Sequence, residues 1–218
     1  MDEGVARSLL PIIEQSIAED PQVAVFRSVL AWASALEAST DAVVALVTEA
    51  RGGGFGETNP EFWLFAQALW AEASHSIGDV GSAEVLAPRL ERWCDQMALN
   101  AGAVFCSISY YAGLARHTLG DLDLAVEHLQ QASMTHRGLR ARFLTSCSDV
   151  ALAEALVDRA GPDDHMRASE LIAAALAVAD EAGYGYVQRS AGNPELDDPI
   201  GHSCGSTRWL CREMPPDP

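Results

Sequence analysis

The stretch "LARHTLGDLDLAVEHLQQA" (114–132) decides how this chain is read. A helical segment meets Gly120-Asp121, and a second helical segment follows at once, with small residues at Ala125 and Ala132. The same features recur upstream. "SIGDVGSAEVLAPRL" (76–90) lies 42 residues before "TLGDLDLAVEHLQQA" (118–132), so that Gly78-Asp79 falls on Gly120-Asp121, Ala83 on Ala125 and, more loosely, Leu90 on Ala132. "ALEASTDAVVALVTEA" (35–50) has the same rhythm with its turn at Ser39-Thr40-Asp41. "ALAEALVDRAGPDDHMRASELIAAALAVA" (151–179) repeats it around Gly161-Pro162, where Ala168, Ile172 and Ala175 mirror Ala125, Leu129 and Ala132. Two antiparallel helices joined by a tight turn, repeated about four times, describe a stack of helical hairpins.

The small residues have a packing reason. Alanine or glycine where two helices cross lets the backbones approach, and flanking Leu, Ile and Val fill the grooves. Ala71 and Gly113 sit at one such crossing, seven residues before Gly78 and Gly120, and Ala83 and Ala125 sit at another.

Composition agrees. The 218 residues are 49% apolar but only 7% aromatic, which suits close-packed helices better than a β-sandwich. Thirty-one acidic residues face 14 basic ones, all of them arginine, for a net charge of −17. A surface this negative repels phosphate backbones and anionic lipid, so no direct nucleic-acid or membrane partner is expected. No apolar run is long enough to cross a bilayer, and the acidic "MDEGVARSLL" start does not resemble a signal peptide. A cytoplasmic protein is expected. Its five cysteines (Cys94, Cys106, Cys147, Cys204, Cys211) lack CxxC spacing and are expected reduced.

The hairpin pattern, a small residue, a turn glycine and an alanine five residues on, resembles the tetratricopeptide repeat, with a longer period, over roughly residues 5–187. The order of segments is similar to the C-terminal helical-repeat region of large bacterial signalling ATPases, namely adenylate/guanylate-cyclase-like proteins and LuxR-type transcriptional regulators. The stretches that carry it are "GGGFGETNPEFWLFAQALWAEASHSIGD", "VFCSISYYAGLARHTLGDLDLAVEHL" and "AEALVDRAGPDDHMRASELIAAALAVADEAG". The resemblance implies an all-α, right-handed superhelical array (an α-solenoid) of about nine helices over residues 1–189. Residues 190–218, rich in Gly, Pro and Asp and without period, read as an irregular tail. Residues 5–19 read as the second helix of a pair whose first helix is missing. Leu9, Leu10, Ile12, Ile13 and Ile17 are then left to find cover, and a homodimer through this helix is expected. The tail residues Ile200, Trp209 and Leu210 are a second source of cover.

In such arrays the first helix of each pair lines a concave groove. By that resemblance the groove here carries Trp32, Glu72, His75, Tyr110, His117 and Glu154, a set suited to a peptide with basic or polar groups. The expected function is a non-enzymatic scaffold for protein interaction, regulatory in character. The alternatives are a small-molecule sensor with its ligand in the groove, or a truncated remnant of a signalling ATPase. A closed pocket around Trp32 and Tyr110 favours the sensor and an open trough favours a peptide.

No catalytic residue, cofactor or metal is assigned. "RGGGFG" (51–56) lacks the Lys-Ser/Thr of a phosphate loop and reads as an inter-repeat loop. No nucleophile elbow or basic helix-turn-helix occurs. His75 and His117 come from separate repeats, and His202, Cys204 and Cys211 fall one ligand short of a zinc site. Asp163-Asp164 reads as a helix cap. Phe62, Trp63, Phe65, Trp70 and Trp93 read as core.

Overall fold

The computed structural model describes residues 3–20, 23–56, 59–100 and 102–192, with residues 3–9 as backbone only. The tail beyond 192, with His202, Cys204, Trp209 and Cys211, lies outside the described residues, as does the side chain of Leu9. The described residues hold ten α-helices: α1 (Glu3–Glu19), α2 (Val25–Leu36), α3 (Thr40–Gly52), α4 (Pro60–Ser76), α5 (Val80–Leu90), α6 (Ile108–Leu119), α7 (Leu122–Gly138), α8 (Arg142–Arg159), α9 (Asp164–Ala182) and α10 (Gly185–Ser190). They also hold one antiparallel pair of strands, β1 (Met97–Asn100) and β2 (Ala103–Ser107).

The first helix of each hairpin ends on one left-handed residue. These are Ala38, Gly78, Gly120 and Ala160, with φ of 54°, 66°, 78° and 53°. Their spacings are 40, 42 and 40 residues. At the first three turns the amide after the left-handed residue reaches back to a carbonyl five positions earlier: Ser39 to Ser34, Asp79 to Ser74 and Asp121 to Arg116, at 2.9–3.0 Å. That bond satisfies a carbonyl the helix end would otherwise orphan. Asn59 starts α4 by accepting the Glu61 amide at 3.0 Å, with Pro60 at the first helical position.

The hairpins α2–α3, α4–α5, α6–α7 and α8–α9 each pack on the next, and α1 packs on α2. The crossing of α6 and α7 is tight enough that a Cβ on Gly113 would lie 2.6 Å from Leu129 Cγ. Ala71, Ala83 and Ala125 are likewise fully buried.

The structure departs from the sequence reading in five places. The described residues hold ten helices where about nine were expected, the added one being the short α10 at the end of the predicted helical region. A β-hairpin that the sequence reading did not include carries Val104, Phe105 and Cys106 on β2. The Asn100 side chain accepts the amides of Gly102 and Ala103 at 2.9 and 2.8 Å and bends the chain into a β-hairpin between α5 and α6. Trp93 is 39% exposed and not core, since it sits in a short 3-10 turn (Glu91–Trp93) where helical spacing no longer applies. Phe65 and Trp70 are buried, and Phe62 and Trp63 are half-buried. Asp164 does not cap α9. Its carboxylate turns back to the Gly161 amide at 2.8 Å and to the Arg159 guanidinium. Along α1, Ile13 is buried, Leu10 and Ile17 are half-buried, and Ile12 alone of these described side chains is exposed, at 60%.

Candidate functional site

Two clusters gather five of the six residues singled out from the sequence. Trp32, Glu72 and Glu154 occupy one repeat position, each six residues before the left-handed residue that ends its helix. The indole of Trp32 and the hydroxyl of Tyr186 both donate to the buried Glu72 carboxylate, Tyr186 at 3.4 Å. Burial pushes the Glu72 pKa up to about 7, against these two donors, which favour the charged form. Tyr110 is 5% exposed and its ring meets that of Tyr111 edge-on at 5.1 Å. Trp32 stacks edge-on against Phe105 of β2, at 5.6 Å between centroids. Burial drives the thiols of Cys106 and Cys147, and the phenols of Tyr110 and Tyr186, well above their ordinary values. Those thiols are therefore protonated and poor nucleophiles.

One turn further along, the ends of three first helices are tied in file. His75 of α4 donates from Nδ1 to Thr118 Oγ1 at 2.9 Å, because the threonine's own proton is given to the Leu114 carbonyl at 3.0 Å. The rings of His75 and His117 lie 5.3 Å apart at 38°. His117 in turn bonds through Nε2 to Asp158 of α8 at 2.9 Å. Desolvation, with His117 next to it, pulls the His75 pKa down to about 4, so this imidazole is neutral. The His117 Nδ1 is buried and finds no hydrogen-bond partner among the described residues. Two histidines thus come together, but no group of three potential ligands among the described residues is placed to hold a metal.

Glu154 is half-buried on α8. Neither of two surface clefts is lined by any of the six residues. One, ≈ 200 Å³, lies between α2, α3 and the turn at Gly53–Gly56. That turn is pinned: Gln67 donates to the Phe55 carbonyl at 2.8 Å, and Arg89 to the Gly54 carbonyl at 2.9 Å. The other, ≈ 480 Å³, runs between α7 and α9 over α8.

Sequence reasoning missed Tyr186, Thr118, Asp158 and the cysteine pair. Asp158 carried a signal, since it falls 41 residues after His117, close to the repeat. Tyr186 carried none, because α10 is too short to show a period.

No known protein family, curated protein or solved structure matches the chain. No helix among the described residues is long and apolar enough to cross a membrane.

Proposed function

We propose that this chain is a non-enzymatic helical-repeat scaffold for protein–protein interaction, built as a tetratricopeptide-like right-handed superhelix. Its role is regulatory, as the resemblance to the sensor regions of signalling proteins implies. The observation that supports the reading is the contact between matching or neighbouring positions in successive hairpins: Trp32 bonded to Glu72, His75 bonded to Thr118 with its ring beside His117, and His117 bonded to Asp158. Such ties give a stack of hairpins one rigid shape, and a rigid extended surface is what recognition of another polypeptide needs. The packing of Trp32 and Tyr110 weighs against a ligand pocket between them. A homodimer through α1 belongs to the same proposal, with Ile12 at its contact.

Affinity capture from extract of the source organism, followed by calorimetry on the purified pair, tests the proposal. A saturable complex with a Kd on the order of micromolar or tighter supports it. It fails if no captured protein binds in the purified titration. It also fails if ATP turnover co-purifies with the chain and is lost on a point mutation.

A further inference from the structure

The groove between α7 and α9 is built from two matching stripes. Gln130, Ser133, Met134 and Arg137 line it from α7, and Arg167, Glu170, Leu171 and Ala174 from α9. Both sets follow the i, i+3, i+4, i+7 spacing of a single helix face. Leu152 of α8 is the floor. The Gln130 side-chain amide meets the Arg167 guanidinium and, with its oxygen turned toward it, accepts from it, which joins the first member of one stripe to the first member of the other. The two stripes therefore run the same way. Arg167 stands at one end of the groove and Arg137 at the opposite end, about 10 Å along at 1.5 Å per residue.

Between the arginines Met134, Leu171 and Ala174 share the surface with Ser133 and Glu170. Met134 is 73% exposed, and it lines the groove together with Leu171, Leu152 and Ala174. Methionine's flexible thioether is suited to surfaces that repack around a partner. Arg137 is held by Asp149 at 2.7 Å, yet its side chain remains 56% exposed. Three residues on, Arg140 is exposed and has no ion-pair partner among the described residues. In a chain of net charge −17, this is a place where cations flank a partly apolar trough. Glu170, in mid-groove, disfavours negative charge at the centre and leaves it to the ends.

We propose that this groove docks a short acidic amphipathic helix of a partner protein. Such a helix carries a carboxylate at each of two positions seven residues apart, meeting Arg167 and Arg137, with an apolar pair between them against Met134 and Leu171. The assignment rests on the interaction-scaffold reading and names its surface and its partner class. A helix laid between two parallel helices buries its apolar stripe in the trough and sets its charges over the arginines.

The test is selection of a random twelve-residue peptide display library on the full chain, followed by fluorescence polarisation with the enriched peptides. The expected family has acidic residues seven apart around an apolar pair. Its affinity should fall about tenfold or more in Met134→Glu and in Arg167→Glu. It should be unchanged in Arg92→Glu, at an exposed arginine far from the groove in sequence. Unaltered melting curves for the variants separate lost docking from lost fold. Enriched peptides whose binding survives both groove substitutions, or a basic consensus, overturn the groove and leave the scaffold reading standing. No enrichment at all counts against both. A dimer that Met134→Glu dissociates in sedimentation assigns the groove to a second copy and overturns the partner helix.

Discussion

Tyr186 donates its hydroxyl to Oε1 of Glu72 at 3.4 Å, and by this bond the short α10 is tied to α4 across 114 positions of chain. The acceptor is a carboxyl that burial pushes up to a pKa of about 7, with His75 one turn away on the same helix pushed down to about 4. The two groups therefore act on stability in opposite directions.

The pH profile follows from their signs. Glu72 binds its proton more tightly folded than unfolded, so its favourable contribution is complete below about pH 4.5 and is lost as pH rises to about 7. His75 binds its proton less tightly folded, so its contribution is complete above about pH 6.5 and is lost as pH falls toward 4. Between about 4.5 and 6.5 the slopes oppose, and these two groups together leave the curve nearly flat. Glu72→Gln removes one of them. Urea melts of that variant should show stability falling on acidification over this window, and at pH 8 a gain on the order of 1–3 kcal/mol over wild type. A profile that coincides with wild type throughout would show that Glu72 is not held in the neutral form. Tyr186→Phe removes a donor that favours the charged carboxyl, so its cost, about 0.5–1.5 kcal/mol, should be larger above about pH 7 than below it.

Ala38 and Ala160 hold a backbone conformation that costs alanine roughly 1 kcal/mol and glycine little. Ala160→Gly should stabilise the chain by about 0.5–1 kcal/mol, and Gly120→Ala should destabilise it by a similar amount. Chemical denaturation of the pair decides the matter. A loss of stability in Ala160→Gly would mean that the turn is not left-handed there.

A methyl group added at Gly113 meets the fully buried Leu129 at 2.6 Å and the Ala125 carbonyl at 3.3 Å. Gly113→Ala should overpack the α6–α7 crossing at a cost of about 1–3 kcal/mol. Thermal melting checks this directly, and an unchanged midpoint refutes the packing argument.

The expected dimer turns on Ile12, which is exposed, and not on Ile13, whose replacement by a charge would loosen α1 from α2. Sedimentation velocity over a concentration series should show association in wild type and less of it in Ile12→Asp. A wild-type chain that stays monomeric at the highest concentration removes α1 as an interface.

The hairpins were legible because Gly78 and Gly120 mark left-handed turns that glycine takes at little cost, and because Ala83 and Ala125 mark crossings at the same spacing. Ala38 and Ala160 do the same backbone work with a residue that gives no such sign, so those turns were located only roughly, at Ser39–Asp41 and Gly161-Pro162. The β-hairpin was hidden in an apolar run, "AVFCSISYY", whose first half pairs with β1 and whose second half opens α6. Periodicity cannot divide so short a run. His75 and His117 could be aligned by counting. That Thr118 and Asp158 complete their bonds depends on how the hairpins stack, which counting does not supply.

The imidazole of His136 is fully buried between elements. Its Nε2 accepts the Ser107 amide at 2.8 Å, and its Nδ1 is left to donate to Ser148 Oγ at 2.9 Å, so one side chain of α7 serves both β2 and α8. For protein engineering this sets the size of the interchangeable module. A chimera that transplants α6–α7 alone would strand a buried amide and a buried ring nitrogen, at about 1–3 kcal/mol each. A graft cut before β1 and after α8 carries all three partners with it and should fold as the donor does.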